Sequence, residues 1–194
     1  MDFHTLIASG SYTAIFLLMI ANGIINFPSS QVLYLIVGYF ISAEKLLFIP
    51  AVAVGALGNT IGNIIAFLLI KKYGHPLAHK ILMMQESVFK KIHAALHETF
   101  SQKGLWWLFV GKLTPSVKAF IPVVAGLADT DTAITSTIFL LASIVWATGI
   151  TYLGYAFGEH VSISSFLAVS FVVGTVMIYI IYRNVSKKLS QASK

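Results

Sequence analysis

Between Lys45 and Lys71 the chain runs 25 residues without a charged side chain. The hydrocarbon of a bilayer is crossed by a helix of about 20 apolar residues. Inside it every backbone N–H and C=O must find a partner within the segment, which selects helix over irregular chain. Residues 46–70 are therefore expected to span a membrane, as are the apolar runs 12–27, 132–158 and 163–182. Only 10% of the residues are charged and 57% are apolar, against about 25% charged in soluble domains. The fold class this predicts is all-α, a polytopic integral membrane protein. The N-terminus, Met1-Asp2-Phe3-His4, has no basic leader and is expected to be retained.

Two apolar stretches do not fit a simple crossing. Residues 28–43 open at Pro28 and are short, and residues 104–128 are interrupted by Pro115 and Pro122 and contain Lys112 and Lys118. Non-helical backbone survives at membrane depth only where protein or a wet cavity surrounds it, so both are expected to be re-entrant. The connector between the two halves, 71–103, shows helical apolar spacing from Val88 onward and reads as an amphipathic helix on the membrane surface. His93 and His97 fall four apart on it without a third ligand, so a surface position is expected, and neither metal nor cofactor. The connector holds six lysines and the tail, 185–194, follows Arg183 with three more, whereas the other loops hold Lys45. The positive-inside rule then makes connector and tail cytoplasmic, with 12–27 running outward and 46–70 inward. The net charge of +6 reads as an orientation signal and an attraction to anionic lipid, not as nucleic-acid binding.

The two re-entrant stretches resemble each other. Pro28-Ser29 precedes Gly38 as Pro115-Ser116 precedes Gly126, and each stretch leads into a span with paired glycines, Gly58 and Gly62 or Gly154 and Gly158. Such pairs let helices approach closely and would permit a homodimer. The expected architecture is an inverted repeat with broken helices meeting near the midplane, a transporter arrangement.

Lys112 and Lys118 stand out because a charge at membrane depth costs about 2.5–3.5 kcal/mol even on lenient scales. Two readings are open. The amines snorkel to water or lipid phosphate, or they bind an anionic group, for which lysine is a compact point charge. None of the seven acidic residues falls inside an expected span, so no carboxylate relay is evident. Asn59 and Asn63 read as interhelical hydrogen-bonding groups, with Asn59 a candidate cavity residue. There is no Ser-His-Asp spacing, phosphate-cradling glycine loop or metal cluster, and no cysteine, so an enzyme is not expected.

The stretch Gly111-Lys112-Leu113-Thr114-Pro115-Ser116-Val117-Lys118-Ala119-Phe120-Ile121-Pro122-Val123-Val124-Ala125-Gly126 resembles the DedA family of SNARE-associated, or VTT-domain, membrane proteins. Both prolines, both glycines and both basic positions of the family pattern G-R-F-x-P-x-x-R-x-x-x-P-x-x-A-G are matched. Ala21-Asn22-Gly23, Pro28-Ser29-Ser30 and Gly38 are similar to its first hairpin. The resemblance implies a flippase or scramblase in the cell membrane, moving phospholipid or polyprenyl phosphate. The family's arginines are here Lys112 and Lys118, and its acidic positions are Ala21, Ser30 and Asn59, which leaves proton coupling without its usual groups. Lys112, Lys118, Pro115 and Ser116 are expected at the head group, with Ser29, Ser30 and Asn59 facing them. Pro28, Gly38, Gly111, Pro122 and Gly126 are expected as hinges. The competing reading is a scaffold that docks on anionic lipid through Lys90 and Lys91.

Overall fold

The computed structural model describes residues 3–27, 29–82, 104–115 and 117–158. These are helical, with no strand among them: α1 (Phe3–Ile25), α2 (Ser30–Ser42), α3 (Phe48–Tyr73), α4 (His75–Leu82), α5 (Trp106–Lys112), α6 (Ile121–Leu127) and α7 (Thr132–Gly158). Pro28, Ser116, His93, His97, Lys90 and Lys91, the expected 163–182 span and the tail lie outside the described residues.

Two helices, α3 with 26 residues and α7 with 27, are long and apolar enough to cross a bilayer, each about 40 Å at 1.5 Å per residue. Leu57, Ile61, Ile65 and Leu68 make an exposed stripe on α3, and Leu141, Ile144, Val145 and Tyr152 another on α7. Soluble monomers rarely leave apolar surface this continuous uncovered; lipid is the solvent that suits it. α3 stops at Gly74, whose φ of +66° suits glycine best. α4 then opens the connector, and its Ala78 packs on Ile70 and Val123.

Crossings at 12–27 and 46–70 were expected to run in opposite senses, but α1 and α3 are parallel. Tyr12 Oη accepts from Leu47 N at 2.9 Å at one end. Further along, a Cβ at Gly58 would meet Phe16 O at 2.6 Å, and one at Gly23 would meet Asn63 N at 2.7 Å. The charge pattern could not reveal this, because the residues before 28 carry almost no charge. α2 packs along α7, α6 along α3, and α3 also against α7.

The glycines serve contact, not hinging. Gly38 lies inside α2 against the α7 backbone at Gly154 and Tyr155, Gly126 inside α6 against Ile70, and Gly111 inside α5 against the Ile121 side chain. None of the three has a positive φ, which falls instead on Asn26, Glu44, Asp129, Gly74 and Gly104. Pro122 likewise begins α6, where a missing N–H costs nothing. The pairs Gly58/Gly62 and Gly154/Gly158 are filled by α1 and α2 of the same chain, so these stripes are not available to a second copy.

Candidate functional site

α5 begins at an exposed Trp106 stacked on Phe109, with ring centroids 5.0 Å apart, the kind of aromatic pair found at membrane interfaces. Six residues later, about 9 Å further along the axis, the helix ends at Lys112. Its Nζ donates to Asn63 Oδ1 at 2.7 Å and sits over the Phe139 ring, 5.4 Å from the centroid. Lys118, in the turn between α5 and α6, donates to Ser30 Oγ and, at 3.0 Å, to Gln31 Oε1, and lies 4.7 Å from the Trp146 ring centroid. Each lysine is only 7% exposed. The snorkelling reading is therefore excluded: both ammonium groups end inside the protein, held by neutral oxygens and aromatic faces.

Beyond Asn63 the amides form a chain. Asn63 Nδ2 donates to Asn59 Oδ1 at 2.9 Å and to Asn59 O at 2.6 Å; Asn59 Nδ2 donates to Asn22 Oδ1 at 2.9 Å; Ser143 Oγ donates to Asn59 Oδ1 at 3.0 Å. Asn59 thus ties α1, α3 and α7 together. Lysine only donates, so it fixes the sense of the chain: Asn63 must turn its oxygen to Lys112 and its nitrogen onward.

The lysines and amides line one cavity between α1, α3, α7 and the α5–α6 turn, with Asn26 also in its lining. Its free volume is about 20 Å³, room for about one water molecule. Among the described residues no carboxylate or histidine lines it, and no group of three His, Cys, Asp or Glu could hold a metal. Chemically this is a buried cationic site with hydrogen-bond donors to spare, suited to an anion small enough to span two ammonium groups.

Of the residues expected at the site, Lys112, Lys118, Ser30, Asn59 and Pro122 line the cavity. Ser29 is exposed, outside it, and donates to Gln31 Oε1 at 2.8 Å. Pro115 is half-buried and does not reach the lining. Asn22, Gln31, Ser143 and Trp146 were not foreseen. The signal for the last two was present: Phe139, Ser143 and Trp146 stand at i, i+4 and i+7 on one face of α7.

A model of the VTT domain matches residues 27–156, a stretch that carries both lysines, Gln31, the α3 asparagines and the α7 stripe. The chain belongs to the VTT-domain family. Its VTT domain is similar to the undecaprenyl phosphate transporter A of Bacillus subtilis, 29% identical over 63% of this chain and 62% of that protein. It is also similar to an uncharacterized membrane protein of Mycobacterium leprae, 30% identical over 57% of this chain and 47% of the relative. A second Bacillus subtilis membrane protein, YbfM, is 25% identical over 65% of this chain and 77% of its own length. The chain thus spans between about half and three-fifths of the first two relatives. No solved structure matches. With membrane proteins for relatives and two spanning helices of its own, this VTT-domain chain is a helical membrane protein.

Proposed function

We propose that this VTT-domain protein moves a phosphate-headed lipid, a phospholipid or polyprenyl phosphate, across the cell membrane, with the head group held by Lys112 and Lys118 while its tails stay in the bilayer. One observation carries the reading: two buried lysines converge on one cavity that contains no carboxylate. A pair of buried like charges without a counter-ion is costly, and an arriving phosphate removes that cost. The similarity to an undecaprenyl phosphate transporter supports the same class of cargo. The cavity is too small for a phosphate as it stands, so the structure is read as a closed state that opens for its cargo.

The packing supports two re-entrant hairpins. Lys71, at the end of α3, pairs with Asp129, just after α6, at 2.9 Å. Leu105 and Leu108, at the start of α5, join Phe67 and Phe139 in one cluster at the same level. The second hairpin therefore leaves on the side from which it enters. On the opposite side Tyr12 and Leu47 bracket the α1–α2 pair. The first hairpin is then α1 with α2, and residues 12–27 are its inbound arm.

The packing also supports the inverted repeat. Gly38 meets Thr151 and Gly154 of α7; Gly126 meets Phe67 and Ile70 of α3. The steps Thr132 to Thr151 and Phe48 to Phe67 are the same nineteen residues, and the next three are shared too. Asn59 and Ser143, each eleven residues into its span, hydrogen-bond each other, as equivalent residues beside a two-fold axis would. The turns after α2 and α6 share one pattern: Ala43 N to Tyr39 O, Glu44 N to Ile41 O and Lys45 N to Phe40 O match Ala128 N to Val124 O, Asp129 N to Gly126 O and Thr130 N to Ala125 O. By the positive-inside rule, the lysine-rich connector supports a cytoplasmic α3 C-terminus.

The test is reconstitution of the parent and a Lys112→Ala/Lys118→Ala variant in vesicles, following translocation of a labelled phosphate-headed lipid. Loss of translocation in the variant is expected, and equal rates would sink the assignment.

A further inference from the structure

We propose that Trp146 is a third head-group ligand, its indole N–H donating to a phosphate oxygen beside those held by the two lysines, so that the site prefers a phosphate monoester to a phosphodiester. The proposal rests on the phosphate reading above and goes beyond it by naming a residue and a head-group class.

The argument is a count of donors. Each ammonium group has three N–H donors. Lys112 places one on Asn63; Lys118 places two, on Ser30 and Gln31. Three remain. The Trp146 ring lines the same cavity and lies beneath Lys118, and its Nε1 is buried with no acceptor among the described residues. A buried donor left unmade costs free energy that native structures rarely leave uncompensated. Asn63 and Asn59 already accept through their side-chain oxygens, and Ser30 and Gln31 accept from Lys118. The surplus therefore belongs to a ligand that only accepts. A monoester dianion matches it, with three terminal oxygens for three ammonium N–H groups and one indole N–H, and two negative charges for two positive ones. A diester has two terminal oxygens and one charge, so it crowds four donors onto two oxygens and leaves one cation unmatched.

The experiment measures binding calorimetrically to the full chain in lipid nanodiscs, with geranyl phosphate as the monoester and its methyl ester as the diester. The parent is expected to prefer the monoester. Trp146→Phe, which keeps a ring beneath Lys118, is expected to weaken monoester binding about tenfold, the size of one hydrogen bond to a charged group, with little change for the diester. Benzothienylalanine at 146 keeps the indole shape without the N–H and should act the same way, which covers a Phe variant that folds badly. Unchanged monoester binding in the 146 variants, or an equal fall for both ligands, overturns the proposal. If the lysine double variant binds like the parent, the phosphate reading fails as well; if only the 146 variants do, that reading stands and this one falls.

Discussion

Gly38→Ala tests how packing in the first hairpin supports the site. A methyl group at Gly38 would lie 2.6 Å from Tyr155 N and 2.7 Å from Gly154 C, and would also strike Thr151 O. All three are backbone atoms of α7, so no side chain can turn aside. Ordinary carbon contacts need about 3.5–4 Å, so α2 must retreat from α7 by about 1 Å. Overpacking of this kind costs about 1–3 kcal/mol. For a chain of this size that is a fall of roughly 2–12 °C in Tm, read by thermal unfolding in detergent. The retreat also draws Ser30 and Gln31, at the start of the same helix, away from Lys118, so head-group affinity should drop with stability. Gly149→Ala is the matched control. It is an exposed α7 position with nothing within 4 Å of a new methyl, and alanine there should gain up to about 1 kcal/mol of helix propensity. If both substitutions shift Tm in the same direction, the close approach of α2 and α7 is not what Gly38 provides.

Asn63→Asp would set a carboxylate against Lys112, cutting phosphate-head-group binding at least tenfold, since the new anion competes for the same ammonium; unchanged affinity in a binding titration would count against a head-group role for Lys112. Lys71→Ala removes the pair with Asp129, whose side chain is 81% exposed, so the loss should stay within about 1 kcal/mol and shrink in high salt, as Tm at two ionic strengths will show. The chain has no cysteine, which makes orientation directly readable. Single cysteines at Glu44 and Lys72 should react with an impermeant maleimide from opposite faces of sealed vesicles, and labelling from one face would refute the two-sided topology.

Much of this protein could be read before its fold was known, and the limits have physical causes. The ends of α3 and α7 follow from the lengths of uncharged runs, because hydrocarbon thickness sets a scale that local propensity does not. Lys112 and Lys118 were conspicuous as charges inside an apolar stretch. The direction of α1 was hidden, since orientation is written in Lys and Arg and the chain before Pro28 has neither. The close approach at Gly38 could not be read in advance, because a glycine used for close approach and one used for backbone freedom look alike in sequence. Asn22 and Trp146 were missed for a related reason: amides and indoles are common in membrane helices, and only three-dimensional neighbours show that these two belong to a site.

The amide chain from Lys112 to Asn22 behaves as a latch rather than a wire. A carboxylate relay passes protons and stops or starts as its members ionise. Amides do not ionise in the physiological range; they can only reverse. An anion that shares Lys112 with Asn63 would loosen the constraint holding every amide in one sense, and the far end of the chain, Asn22, lies on α1 one turn before the break at Asn26. On the proposed transport reading, cargo arrival would reach α1 as a change of direction in these amides, without any net charge moving along the path.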